Sequence, residues 1–195
     1  MEVELRRESE KDYFEAENVI REEFWNHFVP ACDEHYILHI MRNSPDFVPE
    51  LDTVATYKGK IVGCIAYIKS HIISDDGKQI EVLTLGPIGV LPEYQRKGIG
   101  GKMIEYTRNI AKNMGFRAIF LYGDPDYYTR NGFISAESKG IRNEENMYHN
   151  AMHACELYDG ALNGIKGRFI EHSIYKVNEQ DAKKFDSNFP KKEII

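Results

Sequence analysis

The spacing of apolar and polar positions divides the chain into short strands and amphipathic helices. Residues 2–7 alternate weakly, which predicts a first strand, and Ser9 is placed to cap a helix over 10–26. A second short helix is predicted over 35–42, because an Asn-Ser-Pro turn signal follows it. This part of the chain is therefore predicted to form one strand and then two helices.

The next apolar runs predict two hairpin connections. Residues 54–57 and 61–68 flank a Lys-Gly-Lys sequence that has the composition of a tight turn. A polar stretch at 74–78 predicts the next turn and leads into the apolar run 80–85. Strands that are joined by such short turns are antiparallel.

A strand, a helix and a second strand follow one another in the middle of the chain. The first strand is predicted near 79–90, the helix near 98–114 and the second strand over 117–122, with Gly115 ending the helix. Elements of these lengths form two parallel strands joined by a right-handed connection. We therefore predict an α/β fold, in which a mixed, mostly antiparallel twisted sheet with a central parallel strand pair is flanked by helices.

Pro87 lies inside the predicted central strand. Proline removes a donor from the strand ladder and is tolerated at an edge, a strand end or a bulge. We therefore expect the strand to bulge or to part from its parallel neighbour around 86–88. The alternative is that the strand ends at Leu85.

The junction between the central strand and the central helix is rich in glycines and cations. Gly98, Gly100 and Gly101 lie where the helix is predicted to begin, and Arg96 and Lys97 precede them. The first amides of a helix have no partner inside the helix and carry a partial positive charge. Because glycine leaves room for a bulky anion, the junction is predicted to bind a phosphorylated ligand, mainly through its backbone amides. The alternative is a glycine-rich turn that only caps the helix.

Two common nucleotide-binding motifs do not fit this junction. A Walker loop requires Ser or Thr after its Gly-Lys pair, but Met103 follows Lys102, and a dinucleotide-binding Gly-x-Gly-x-x-Gly requires glycine at the same position. What remains is Gln-x-x-Gly-x-Gly at residues 95–100, with Val90 and Pro92 upstream. This pattern resembles the pyrophosphate-binding segment of the GNAT superfamily of CoA-dependent N-acetyltransferases.

A second resemblance to the same family lies downstream of the second parallel strand. In the segment 123–133, Tyr128 precedes the pair Gly132-Phe133 by four residues, as a tyrosine does in GNAT proteins. The two matches are independent of each other and together cover residues 80–134. The flanking hairpin and the first two helices agree with the family in their order.

The resemblance implies a cosubstrate and a reaction. Acetyl-CoA is the expected cosubstrate, no metal is implied, and the acetyl group is expected to pass directly to a primary amine. In this family the parallel strands part and the pantetheine arm lies in the gap, so the main chain at Ile88 and Val90 is expected to pair with that arm. The residues expected to bind the cofactor are Ile88, Gly89, Val90, Gln95, Arg96, Lys97, Gly98, Ile99, Gly100 and Gly101.

Tyr128 is the catalytic residue that the resemblance implies. CoA leaves as a thiolate, and a tyrosine, with a reference pKa of about 10, is a suitable proton donor to that sulfur. A backbone N–H near the bulge, such as that of Ile88, is a candidate donor to the oxyanion that develops during transfer. The alternative is that Tyr128, one of 12 tyrosines, belongs to the core or to the surface.

The general base is not identified by any motif. Each candidate has an ordinary alternative, namely a solvated charge or a histidine whose hydrogen bonds are satisfied. A water molecule is a further option. The candidates are Glu81, Glu93, Asp124, Asp126, His149 and His153.

Composition limits the classes of partner. The chain has 195 residues and a formal net charge of −6, which disfavours nonspecific nucleic-acid binding. No apolar run approaches the roughly 18 residues of a membrane span. The three cysteines, Cys32, Cys64 and Cys155, form no Cys-x-x-Cys pair, so neither a disulfide scaffold nor a zinc knuckle is expected, and a cytoplasmic location is predicted.

Other reactive side chains are given ordinary roles. Cys64 and Cys155 are expected to be buried in strands rather than to act as nucleophiles. His149 and His153 have a spacing that would suit a metal on a helix, but the surrounding pattern predicts a strand over 148–157, which separates them by about 13 Å. No metal site is therefore expected.

Residues 1–164 are predicted to form the GNAT domain and 165–195 a C-terminal extension, with a strand near 169–175 and a polar helix over 178–188. The extension is expected to pack on the core, to line the acceptor pocket or to meet a second subunit, so a homodimer is left open. The acceptor is a small-molecule or protein amine that no motif identifies. Rival hypotheses are a non-catalytic acyl-CoA-binding module and an acyltransferase for longer acyl chains.

Overall fold

A computed structural model describes residues 1–27 and 30–194. The helices are α1 Tyr13–Phe24, α2 Glu34–Met41, α3 Ile99–Asn113, α4 Pro125–Arg130 and α5 Glu179–Asp186. The strands are β1 Glu4–Arg7, β2 Thr53–Tyr57, β3 Lys60–Ser74, β4 Gln79–Val90, β5 Ala118–Tyr122, β6 Ile134–Ser135, β7 Ile141–Arg142, β8 Met152–Glu156 and β9 Gly167–Ile170.

The strands of the described residues form one mixed sheet. Its order is β1-β2-β3-β4-β5-β8-β6, while β9 pairs with β3 and with β7. β4 and β5 are parallel, whereas β1 pairs with β2 and β2 pairs with β3 in antiparallel fashion. The predicted fold class, a mixed sheet with a parallel pair and flanking helices, is confirmed.

The chain divides into two compact units, and the first comprises residues 1–66, 87–103 and 173–195. Its hairpin between β2 and β3 turns at Lys58 and Gly59, whose φ angles of 51° and 79° are both left-handed. Two successive left-handed residues suit the twist of a two-residue hairpin turn, which explains the Lys-Gly sequence there.

The start of α1 differs slightly from the prediction. The Asp12 carboxylate accepts hydrogen bonds from the Ser9 amide at 2.9 Å and from the Ser9 hydroxyl at 2.6 Å. These bonds enclose a short 3₁₀ turn, so α1 begins at Tyr13 rather than at residue 10. Its buried apolar positions are Ala16, Val19 and Ile20.

A buried ion-pair network joins α2 to α1 and to the chain near β1 and β2. The Arg42 guanidinium donates to Glu8 at 2.8 and 2.9 Å and to Glu17 at 2.5 Å, and it lies 3.9 Å from Asp52. Burial, reinforced by the neighbouring Glu8 carboxylate, raises the pKa of Asp52 well above its ordinary value. Arg42 also lies 4.0 Å from the centre of the Tyr13 ring. The Arg42 guanidinium thus lies within 4 Å of three carboxyl groups, those of Glu8, Glu17 and Asp52.

The C-terminal segment packs on the helices of the first unit. Asp186 of α5 accepts a hydrogen bond from the Arg21 Nε at 2.5 Å. The rings of Phe185 and Phe189 each lie 5.4 Å from the His35 ring. Packing on the core is therefore the observed outcome for residues 173–194, and the domain boundary at 164 stays a prediction.

The second unit comprises residues 67–86 and 104–172. β5 pairs with β4 on one side and with β8 on the other, and the Phe120 and Phe169 rings stack at 4.7 Å in the core. The predicted strand over 148–157 is shorter in the structure, since β8 spans only Met152–Glu156.

The parallel pairing between β4 and β5 is brief. It places Leu83 opposite Ile119 and Thr84 opposite Phe120. Gly86 then has a φ of 145°, a conformation that favours glycine, and Pro87 follows. β4 nevertheless continues to Val90, so the alternative that the strand ends at Leu85 is wrong. The parallel register with β5 ends at Thr84, ahead of Gly86 and Pro87.

Candidate functional site

The end of β4 presents two main-chain groups on the edge opposite β3. The Leu91 amide donates to the Val62 carbonyl of β3 at 2.9 Å. Because the polar groups of successive residues in a strand point to opposite edges, those of Val90 and Ile88 face away from β3. This is the orientation that pairing with an extended ligand requires.

The loop after β4 contains two left-handed residues. A 3₁₀ turn spans Pro92–Tyr94, and Arg96 and Gly98 then have φ angles of 58° and 77°. Left-handed residues in a turn can point neighbouring amides into one concavity, which favours an anion. A Cβ on Gly98 would meet nothing within 4 Å, so glycine is needed there for its backbone conformation, and the loop has room beside it.

The first turn of α3 follows this loop directly. Its first helical hydrogen bond runs from the Lys102 amide to the Gly98 carbonyl at 3.1 Å. The amides of residues 99–101 therefore precede any acceptor within the helix, and they lie at its positive end. Ile99 and Met103 are buried and anchor this turn to the core.

The cations of the loop have different partners. The Lys97 ammonium donates to the Glu93 carbonyl at 2.6 Å, and Lys102 donates to the Met1 carbonyl at 3.4 Å. Arg96 is exposed. Glu93 itself lies 3.3 Å from the Lys60 ammonium. Of the three cations near the loop, Lys97 and Lys102 are thus tied to main-chain carbonyls, which leaves the amides as the more direct anion contacts.

Gln95 joins the loop to β4 and to α1. Its amide nitrogen donates to the Val90 carbonyl at 3.3 Å and also to the Glu23 carboxylate. Burial raises the pKa of Glu23, and the hydrogen bond from Gln95 and the nearby main chain of Val90 partly offset this rise.

Glu23 is a residue that the sequence did not indicate. It lies near the end of α1, and it reaches β4 because Gly89 allows a close approach: a Cβ on Gly89 would lie 2.9 Å from the Ile20 Cδ1 and 3.3 Å from the Glu23 Cβ. The only signal in the sequence is a glycine inside a strand, which marks a close backbone contact without naming the partner.

Tyr128 lies in the second unit, on α4. The Asp124 carboxylate caps this helix by accepting from the Asp126 amide at 2.9 Å, and Pro125 occupies its first turn. The Tyr128 side chain is largely buried, and its ring lies 5.6 Å from the Phe133 ring and 6.3 Å from the His153 ring.

The spacing of the Tyr-x-x-x-Gly-Phe sequence has a structural reason. Gly132 has a φ of 84°, the left-handed conformation that ends a helix, and the Phe133 amide then returns to the Tyr128 carbonyl at 3.1 Å. Phe133 is almost fully buried. At the other end, a Cβ on Gly123 would overlap the Tyr128 ring. These residues fix the position of the Tyr128 side chain.

The candidates for the general base in the second unit have partners or lie at the surface. His153 is buried and its Nδ1 donates to the Ala151 carbonyl at 2.8 Å. Glu81 is exposed and lies 3.7 Å from the Lys69 ammonium. Asp124 caps α4, Asp126 is exposed, and the His149 ring lies 5.6 Å from the Tyr122 ring. The geometry of these side chains does not favour any one of them as the general base.

The structure therefore brings the expected cofactor residues together. Every one of them lies between Ile88 and Gly101, inside the first unit, whereas Tyr128 belongs to the second unit. Phe28 and Val29 lie outside the described residues. Cys64 in β3 and Cys155 in β8 are buried thiols with raised pKa values, caused mainly by desolvation, which confirms their expected structural role.

Comparisons with known proteins agree with this geometry. Residues 49–135 match the family model of the Acetyltransferase (GNAT) domain. The chain is 35% identical over 86 residues to the uncharacterized N-acetyltransferase YjhQ of Escherichia coli, a match that covers 44% of this chain and 46% of that protein. It is 26% identical over 143 residues to the uncharacterized N-acetyltransferase YhbS of Escherichia coli, with coverage of 73% and 83%.

Solved structures show the same fold. A crystal structure of YhbS from Escherichia coli in complex with CoA has a TM-score of 0.79 at 22% identity, covering 90% of this chain and 92% of that one. A GNAT family acetyltransferase from Brucella melitensis in complex with acetyl-CoA has a TM-score of 0.71 at 24% identity, with coverage of 89% and 98%. The chain is therefore similar in sequence to a GNAT acetyltransferase domain over residues 49–135, and it shares its fold with GNAT proteins of known structure. YjhQ is matched over less than half of its own length.

Two further observations concern metals and membranes. Within residues 1–27 and 30–194, no group of three His, Cys, Asp or Glu side chains is arranged to hold a metal ion. No helix in this part of the chain combines the length and the apolar character that a bilayer crossing requires.

Proposed function

We propose that this protein is an N-acetyltransferase that moves the acetyl group of acetyl-CoA directly onto a primary amine. The observation that carries the proposal is the loop from Gln95 to Gly101, which ends in the free amides of the first turn of α3. Such a helix start binds phosphate groups through its amides and its dipole. The open space beside Gly98 gives a diphosphate room to approach.

The residues of β4 have a role in the same proposal. The main chain at Ile88 and Val90 faces the edge opposite β3 and would pair with the amides of the pantetheine arm. The Ile88 amide is the proposed donor to the carbonyl oxygen of the thioester as negative charge develops there. Arg96 and Lys97 would add charge-assisted contacts to phosphate oxygens.

Tyr128 is the proposed acid. The neutral acceptor nitrogen attacks the thioester carbonyl, so a C–N bond forms and the C–S bond breaks, with the electron pair of that bond going to sulfur. Tyr128 donates its phenolic proton to the sulfur, and the proton lost by the nitrogen passes to a base or to water and returns to the phenolate through solvent. The buried, capped position of Tyr128 on α4 supports this assignment.

Location and organisation belong to the same proposal. We place the GNAT domain at residues 1–164 and the extension at 165–195. A cytoplasmic location is supported by the three buried thiols, and no disulfide joins them. The acceptor, which is a small-molecule or protein amine, and a possible second subunit are open parts of the proposal.

A thiol-release assay tests the function. Acetyl-CoA is offered with a panel of amines that includes polyamines, aminoglycosides, amino acids and peptides with free N-termini or lysines. Release of CoA that depends on one class of amine is the expected result. CoA binding without release for every amine would support a non-catalytic acyl-CoA-binding module. Release only from longer thioesters would support an acyltransferase for longer acyl chains. If the protein neither bound CoA nor released it from any thioester, the proposal would be overturned.

A further inference from the structure

The outward edge of Val90 is already paired, although no strand lies against it within the first unit. Its carbonyl accepts from the Gln95 side chain at 3.3 Å, and Gln95 also donates to the Glu23 carboxylate. The Val90 main chain in turn favours the charged form of that carboxylate. The two side chains together therefore present a donor and an acceptor to Val90, as the amide groups of a neighbouring strand would.

This arrangement depends on the close approach of α1. The Glu23 Cβ stands 3.3 Å from where a Gly89 Cβ would lie, so a side chain at position 89 would press against α1 beside the carboxylate. The Glu23 side chain is partly buried there, and burial raises its pKa. The network is thus held in place by packing rather than by chance contact of surface side chains.

We propose that Glu23, assisted by Gln95, occupies the place on Val90 that the amide arm of the cofactor takes when it binds. Glu23 is then a positioning residue that sets the affinity for CoA: it keeps the strand edge paired in the free protein and has to turn away before the arm can pair with Val90. The inference rests on the proposed function, because it requires CoA to bind along Ile88 and Val90.

The expected change in CoA affinity follows from the contacts of Glu23 that must be broken when the cofactor arm binds. The Glu23 carboxylate holds the Gln95 side chain on the Val90 carbonyl and interacts favourably with the Val90 main chain, so displacing Glu23 costs free energy during binding. When residue 23 is alanine, the Val90 amide is hydrated in the free protein, and the arm displaces water instead. Glu23→Ala is therefore expected to bind CoA about tenfold more tightly than the wild type.

Isothermal calorimetry with CoA compares the wild type with Glu23→Ala, Glu23→Gln and Glu22→Ala. Glu22 is the neighbouring carboxylate on α1, and it pairs with the Lys192 ammonium at 2.9 Å. Glu22→Ala removes the same charge without touching Val90, so it measures the general electrostatic effect on an anionic ligand. Glu23→Gln keeps an acceptor for the Val90 amide but loses the charge, and its affinity is expected to lie between those of the wild type and Glu23→Ala.

A purely structural role of Glu23 would give a different set of affinities and melting temperatures. If Glu23 only stabilised the fold, Glu23→Ala would melt at a lower temperature and bind CoA no better than the wild type, which would overturn the inference. Equal tightening by Glu22→Ala would also overturn it, since charge alone would then explain the effect. Failure of the wild type to bind CoA at all would instead overturn the proposed function itself, and this inference with it.

Discussion

Glycine residues near α3 act through two different properties. Gly98 supplies a left-handed backbone with a φ of 77°, whereas Gly100 lies in the helix itself, where its lack of a side chain matters. Replacing Gly98 would strain the loop, but replacing Gly100 would place a side chain beside the amides without changing the backbone. The two positions therefore call for different tests.

Gly100→Glu is predicted to abolish CoA binding. The substitution adds bulk and negative charge at the start of α3, where the diphosphate is proposed to lie. Calorimetry with CoA measures the loss, and circular dichroism confirms folding. Gly101→Glu is a second variant at a less buried position, and Asn109→Glu adds the same charge farther along the helix as a control. Wild-type affinity in folded Gly100→Glu and Gly101→Glu would place the diphosphate elsewhere.

Tyr128→Phe is predicted to lower kcat by about 10²–10⁴-fold while the Kd for CoA changes little, because only the proton donor is removed. Steady-state kinetics and calorimetry measure the two quantities separately. Tyr127→Phe is the matched control, since it removes the hydroxyl of the adjacent tyrosine on the same helix. Unchanged turnover in Tyr128→Phe would exclude that residue from proton transfer.

Asp52 predicts a pH dependence of stability. The pKa of Asp52 in the folded protein lies above the ordinary value of 3.8. The proton on Asp52 therefore stabilises the fold most below pH 3.8, and this stabilisation is lost as the pH rises through the raised pKa. Asp52→Asn keeps the shape of the side chain but has no acidic proton to lose. Between about pH 5 and about pH 8, the free energy of unfolding of the wild type is expected to fall by at least about 1 kcal/mol more than that of the variant.

Urea unfolding at the two pH values measures this difference. Glu50→Gln neutralises an exposed carboxylate in the same region and serves as the control, with a pH profile like that of the wild type. Parallel profiles for the wild type and Asp52→Asn would show that Asp52 does not retain a proton in the folded state.

Residues with a local signature were predictable, and residues placed by tertiary contacts were not. The loop at 95–101 and the capped turn after Tyr128 depend on glycine at fixed spacings, which a sequence displays directly. Glu23 and Arg42 function through partners far away in the chain, and a charged residue among other charges gives no sign that it will be buried.

At the scale of elements, α5 is joined to α1 by the ion pair between Arg21 and Asp186. The Arg21 side chain is only 1% exposed and its Nε lies 2.5 Å from Asp186, so removing that carboxylate leaves a buried cation without its main partner. Asp186→Ala is expected to lower the free energy of unfolding by about 2 kcal/mol, somewhat less than a fully buried pair because Asp186 is partly exposed.

Chemical denaturation measures this loss. Asp181→Ala removes an exposed carboxylate from the first turn of the same helix and is expected to cost only about 0.5 kcal/mol. Equal effects of the two substitutions would show that the Arg21 pair does not hold α5 in place.

The long elements β4 and α3 were predicted well, whereas β3 continues to Ser74, beyond the predicted run 61–68, and the short α4 was missed. The bounds of β4 agree with the prediction at 79–90, and those of α3 lie within a residue of it, since their patterns extend over several turns or pleats. α4 was not predicted, because six residues are too few to show a helical period. β8 begins only at Met152, whose amide closes a turn with the His149 carbonyl at 2.9 Å.

At the scale of the whole molecule, the fold class followed from the order of the elements. Hairpins, a crossover unit and a proline in the central strand together predict a mixed sheet whose parallel pair is short. The packing of residues 173–194 on the first unit could not be predicted in the same way. It depends on aromatic contacts such as the stacking of Phe14 and Phe189 at 4.8 Å, and two phenylalanines so far apart in sequence carry no pairing signal.

A crystal structure of the protein with acetyl-CoA tests the central claim most directly. The account predicts that diphosphate oxygens lie within hydrogen-bond distance, about 2.7–3.2 Å, of the main-chain nitrogens of Gly98, Ile99, Gly100 or Gly101. A complex in which the diphosphate contacts none of these amides, or in which the cofactor is bound at another surface, would contradict it.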